Sequence, residues 1–223
     1  MKAQIVHLVG HSQSVEQAQQ ALASFQDNGW DAELVEGITP ETLADRGRVA
    51  ELLEGGRLTH FEEPRLSIKK SCVNNHILFW EKVLASNETM AFIEHDALAI
   101  DAPQDWVFED VLILNMEYVF NFGALRGKGF ARKFKPEVGL SEIPQNFPLK
   151  CRVPKSPFKG SRMIPGTAAY AITPQGAKKM LEIVYHHGID QSDYIINSMN
   201  VKLEYVIPSP VKFNTKNLST SNG

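Results

Sequence analysis

The sequence predicts an α/β protein with a central, mostly parallel sheet flanked by helices. Three observations carry that expectation. The chain opens strand–helix–strand, a long helix leads into a buried strand ending near residue 94, and short apolar strands alternate with helices as far as residue 207. With 223 residues, 43% of them hydrophobic, the chain can bury one sizeable core but not two comfortable ones.

Residues 4–9 form a short apolar strand that stops at Gly10-His11-Ser12. Residues 15–28 place Ala18, Ala21, Leu22 and Phe25 at helical spacing, with Gly29 as the stop. Residues 31–35 alternate as a second strand. Residues 38–59 are polar and Gly-punctuated, a helix and a loop. Residues 66–86 carry a stronger helix marked by Ile68, Cys72, Asn75/His76, Phe79 and Val83, and residues 89–94 a buried strand. Residues 107–115 contain the run VLILN and read as a central strand. Periodicity fails over 123–161, where five prolines gather, so a long loop is expected there. Residues 167–172 are a further strand. Thr173 caps the next helix with Pro174 at its first position, and that helix runs through Tyr185. Residues 189–200 read as a last helix and 202–207 as a last strand. One domain is expected over 1–213, with 126–162 as a basic flap inside it and 214–223 as a flexible tail.

The N-terminus reads as a strand rather than a signal peptide, and no apolar stretch is long enough to cross a bilayer. Cys72 and Cys151 lie far apart without metal spacing, so reduced thiols and a cytoplasmic setting are expected. The net charge of -3 hides an uneven distribution. Residues 126–162 hold ten basic side chains, Arg126, Lys128, Arg132, Lys133 and Arg162 among them, against Glu137 and Glu142. Such a block suits either a polyanion held on one side of the molecule or a solvated loop.

The sharpest local feature is Glu94-His95-Asp96 at the end of a buried strand, where open α/β sheets bind ligands. Two carboxylates there can hold a hard divalent cation that neutralises a diphosphate, and His95 adds a nitrogen ligand suited to manganese. The triplet alone reads equally as a strand end with two solvated acids.

Its context is more specific. Residues 71–96 resemble the core signature of glycosyltransferase family 25, the lipopolysaccharide and collagen galactosyltransferase group. Cys72, His76, Trp80, Glu81 and Lys82 match, whereas Asn75 stands where the family has Ser and His95 replaces the middle Asp of Glu-Asp-Asp. Residues 166–181, GTAAYAITPQGAKKML, are similar to a second family segment, and Asp190 and Asp193 stand where the family has an acid after that helix. The resemblance covers most of the chain except 126–162.

That resemblance implies a single GT-A-like (Rossmann-like) domain, a nucleotide-sugar donor such as a UDP-hexose, and inverting transfer. It implies a divalent metal, Mn2+ or Mg2+, at Glu94, His95 and Asp96. Donor contacts fall to His11, Ser12, Asn75, His76, Glu94, Gly166 and Thr167. The candidate catalytic base is Asp193, with Asp190 second, and either reads equally as a helix cap. His76 and Asn75 also read as core residues, and Ser12 or Ser14 as a plain cap. The acceptor is a lipopolysaccharide saccharide or, from the basic stretch with its interleaved Phe130, Phe134 and Phe158, a hydroxylated base in DNA. Arg126, Lys128, Arg132, Lys133 and Arg162 then bind the acceptor. The reading outside enzymology is a non-catalytic nucleic-acid-binding or assembly protein on a degenerate transferase fold. Donor nucleotide, sugar and oligomeric state are open.

Overall fold

The computed structural model describes residues 1–48, 58, 61–116, 119, 134–153 and 156–214. Nine strands are named among them: β1 (Lys2–His7), β2 (Asp31–Glu36), β3 (Met90–Glu94), β4 (Ala97–Ala99), β5 (Val111–Ile113), β6 (Gly139–Glu142), β7 (Ala169–Ile172), β8 (Leu203–Ile207) and β9 (Val211–Phe213). The helices are α1 (Ser12–Asp27), α2 (Leu43–Arg46), α3 (Arg65–Ser86), α4 (Pro174–His187) and α5 (Ser192–Ile195).

Seven strands form one sheet in the order β2-β1-β3-β7-β5-β8-β6, and β4 pairs with β9 separately. Five of the seven point the same way; β7 and β6 run against their neighbours. The predicted α/β class and mostly parallel sheet are therefore present. The reversed β6 lies at the sheet edge beside β8, and the reversed β7 sits inside the sheet between β3 and β5.

Each sheet face has its own core. On one, α3 and α4 bury Val73, Ile77, Trp80, Val83, Met180 and Val184 against Phe92, Ile113, Tyr170 and Tyr205. On the other, α1 lays Ala18, Ala21 and Phe25 against Ala3, Ile5, Ala91 and Ile93. The alanines let the helix backbone approach the sheet closely. The apolar period of α1 thus does what the sequence implies: one stripe is buried and the rest is exposed.

Several expected elements come out shorter. Over 189–200 only Ser192–Ile195 is helical, because Asn197 turns its side chain back to the Tyr194 and Ile195 carbonyls and ends the helix. Of 107–115 only Val111–Ile113 is strand; the preceding segment crosses the sheet face with Trp106 and Phe108 partly buried. Within the expected loop 123–161, Gly139–Glu142 adds β6 at the sheet edge, and Cys151 and Phe158 make a small core with Met163 just beyond it. Over 38–59 the described helix is Leu43–Arg46. The strands β4 and β9 were not expected from the sequence, being three residues each. Of the tail, Asn214 is buried and bonded to Asp96 through its backbone N–H; residues 215–223 lie outside the described residues.

Candidate active site

From β1 the chain passes through α1 to β2 on one side, then returns through α3 to β3 on the other. The helices α1 and α3 pack on opposite faces, so a crevice opens between the C-terminal ends of β1 and β3. This reversal is where doubly wound sheets bind ligands. His7 ends β1, and Glu94 ends β3 with His95 and Asp96 following.

Glu94 has its backbone N–H bonded to the Ala168 carbonyl at 2.8 Å. Burial pushes its carboxyl up to about 8, reinforced by repulsion from Asp96 and Asp193 and eased by Lys69. Asp96 is only 7% exposed; burial raises its pKa while His95 opposes the rise. Burial lowers the His95 pKa, against the pull of Asp96 and with added repulsion from His7 and His11. His7 Nδ1, His95 Nε2 and Asp96 Oδ1 are buried without a hydrogen-bond partner. Such orphaned atoms in one crevice fit a ligand that brings positive charge and lone-pair acceptors.

Asp193, on α5, joins from another direction. Its carboxylate accepts from Gly166 N at 3.1 Å, Thr167 N at 3.4 Å and Thr167 Oγ1 at 2.9 Å. Gly166, at φ +72°, makes the turn that faces both backbone N–H groups toward it. Cys72 and Lys69, one turn apart on α3, complete the surroundings. The Cys72 thiol is open to solvent within the recess, yet crowding by protein and the Glu94 and Asp193 carboxylates push it up to about 11.

Other expected site residues have different partners. His76 is 2% exposed, and its Nδ1 meets the Tyr170 hydroxyl at 2.9 Å, which also accepts from Trp80 Nε1 at 2.9 Å. Burial drives the His76 pKa down to about 3, so the ring is neutral and accepts the phenol proton. His76 is therefore a brace between α3 and β7 rather than a side chain in the crevice. Asn75 holds Ile38 by both ends: Oδ1 accepts from Ile38 N at 2.6 Å and Nδ2 donates to Ile38 O at 3.3 Å. His11 is the α1 N-cap residue without a side-chain cap bond, and Ser12 is exposed beside it. It is Ser14 that accepts from Leu8 N, at 2.9 Å. Asp190 is buried and accepts from Gln191 N, apart from the exposed crevice wall.

Arg162 lies elsewhere. It lines a cavity of about 290 Å³ with Glu109, Asp110 and Lys202, at the opposite end of the sheet from Glu94, and donates to Ser198 Oγ and the Ile143 carbonyl. Phe158 is buried in its small core, and Phe134 packs edge-on to Phe147. Arg126, Lys128, Phe130, Arg132 and Lys133 lie outside the described residues. Sequence reasoning missed His7 and Lys69. His7 was legible as the residue closing the first strand, and Lys69 as one turn before Cys72 on the same helix.

The model of glycosyltransferase family 25, described as a lipopolysaccharide biosynthesis protein, matches residues 12–196. The chain belongs to glycosyltransferase family 25. The family 25 match spans α1 to α5 and so encloses Cys72, Glu94, Asp96, Gly166 and Asp193. Among solved structures, an active-site mutant of LgtC aligns with 92% of this chain and 72% of its own, at 11% identity and a TM-score of 0.43. No curated protein matches the chain. No helix among the described residues is long and apolar enough to cross a membrane.

Proposed function

We propose that this family 25 transferase moves a hexosyl group from a nucleotide sugar to a saccharide hydroxyl, with inversion, in the β1–β3 crevice. One observation carries the reading: Glu94 and Asp96 at the end of β3 and Asp193 on α5 converge, the turn that holds Asp193 adjoining the Ala168 carbonyl that accepts from the Glu94 N–H and both aspartates repelling the Glu94 carboxylate.

Asp193 is the proton acceptor. Unlike Asp190 it is partly exposed, and its three donors orient the carboxylate while leaving Oδ2 capacity for a second bond. An acceptor hydroxyl bonded there loses its proton to Asp193 as its oxygen attacks the anomeric carbon and the bond to the diphosphate breaks. Gly166 and Thr167 hold the base; Glu94 and the exposed start of α1, with His11 and Ser12, border the donor's polar groups. Asp96 and His95, with orphaned atoms in the crevice, fit a divalent cation of the manganese type. Among the described residues no three His, Cys, Asp or Glu side chains gather tightly enough to hold an ion alone, so donor oxygens and water would complete its coordination. Held by Asp96 and His95, such a cation would supply positive charge to a leaving nucleoside diphosphate.

The test is nucleoside diphosphate release from a panel of nucleotide sugars, with manganese or with chelator. Release should depend on manganese, vanish in Asp96→Ala, and fall by about 10²–10⁴ in Asp193→Asn. Wild-type rates in both variants would refute the assignment.

A further inference from the structure

A second concavity lies beside the sheet edge, away from the crevice carboxylates. It has a volume of about 500 Å³, within the range of small-molecule sites, between the segment that follows β4 and the ends of β6 and β8. Trp106 forms one wall, Asp101, Gln104 and Asp105 its rim, and Pro208 and Pro210 lie opposite. Val107 and Val138 flank it at 90% and 83% exposure, so among the described residues an apolar surface here faces water.

The chemistry of this lining is selective. Among the described residues it includes two carboxylates and an amide, and no Lys, Arg or His. Phosphate-rich ligands are disfavoured there by charge. A pyranose suits it: apolar C–H faces lie on an indole, and hydroxyl donors go to carboxylate oxygens and the Gln104 amide. The Trp106 indole N–H is itself buried, so the ring meets a sugar through its carbon atoms. Trp106 is held in place from behind by Trp30, ring centroids 6.1 Å apart, whose own N–H is fixed by the Asp101 carbonyl at 2.9 Å.

The groove is also connected to the crevice. From Pro210 the chain runs through β9 to Asn214, whose N–H bonds the Asp96 carbonyl at 2.6 Å. Four residues of extended chain span about 13 Å. We propose that this groove holds neutral sugar residues of the acceptor beyond the one that reacts. The role as acceptor subsite rests on the transfer reading above, but the binding itself does not require turnover.

Of the three tryptophans, Trp30 and Trp80 are buried, so Trp106 is the indole open to a ligand. Tryptophan emission of the full chain is titrated with lactose, cellobiose and maltotriose, without donor. Saturable change with at least one, at a dissociation constant of about 1–10 mM, is expected. Gln104→Ala combined with Asp105→Ala, both exposed, should weaken it about tenfold while leaving nucleotide-sugar-dependent thermal shift unchanged. A sulfated disaccharide should bind more weakly than lactose. No saturable response to any of the three sugars overturns the proposal. So does wild-type affinity in the double variant, or tighter binding of the sulfated sugar. Loss of donor turnover with sugar binding intact would instead remove the transfer reading alone.

Discussion

Replacing Glu94 by Gln should stabilise the protein while ending its activity. A carboxyl titrating at about 8 when folded, against 4.5 for its ordinary value, prefers its protonated form in the native state. Below pH 4.5 the folded and unfolded chains both carry it neutral. As pH rises from 4.5 to 8, the unfolded chain ionises it freely while the folded chain does not, and stability is lost across that window; above 8 the loss levels off. A pKa unit is worth about 1.4 kcal/mol, which caps the effect at about 3 kcal/mol at pH 7. Glu94 keeps partial access to solvent and Asp96 and Asp193 share its strain, so about 1–2 kcal/mol is the working figure. For a chain of this size that is a rise in Tm of roughly 3–6 °C. Thermal melts of wild type and Glu94→Gln from pH 4 to 9, with chelator, measure it. The gap should be small at pH 4, widen to pH 8 and then stay constant. A variant that melts at or below wild type across the range, or a gap independent of pH, refutes the electrostatic account of the crevice.

Tyr170→Phe removes the hydroxyl shared by Trp80 Nε1 and His76 Nδ1, leaving two buried groups unpartnered. A loss of roughly 2–4 kcal/mol in urea unfolding is expected, with donor KM unchanged. Asn75→Ala frees both backbone groups of Ile38, and amide exchange at residues 37–39 should quicken for a loss of about 1–2 kcal/mol. Lys179→Met strips the 2.6 Å partner from Asp110, which is fully buried. It should cost roughly 2–4 kcal/mol by chemical denaturation, and adding Asp110→Asn should recover most of it.

The parts of this molecule written in periodicity were legible. The stripe of α1 and the run of α3 follow from spacing of apolar residues, and β3 from the four consecutive apolar residues before Glu94. The Glu94-His95-Asp96 position was legible for the same reason, since a strand end in an α/β sheet is a ligand edge. What was not legible depended on partners distant in sequence. His76 and a crevice histidine look alike along the chain, and only the Tyr170 hydroxyl, 94 residues away, distinguishes them. Arg162 sat in a basic run, but its neighbours in space are Ile143 and Ser198. Strands of three residues such as β4 and β9 carry no period at all; each exists because the other is there to pair with.

The reversed direction of β7 explains how the second family segment reaches the first. In a parallel sheet every strand ends at the ligand edge and begins at the far one. Because β7 runs against β3 and β5, its beginning lies where β3 ends. The loop before it, Gly166–Thr167, therefore stands beside Glu94, and the Ala168 carbonyl accepts the Glu94 N–H. That placement lets two backbone N–H groups and one hydroxyl orient Asp193, which the short α5 could not fix unaided. At the other end of β7, Thr173 takes its N–H to the Asp110 carbonyl and opens α4, which packs on α3 and holds Cys72 and Lys69 toward the crevice. A substitution that shifted β7 by one residue would turn Tyr170 away from His76 and displace Gly166 from Asp193 at once. The brace in the core and the carboxylate in the crevice are thus set by the register of a single four-residue strand.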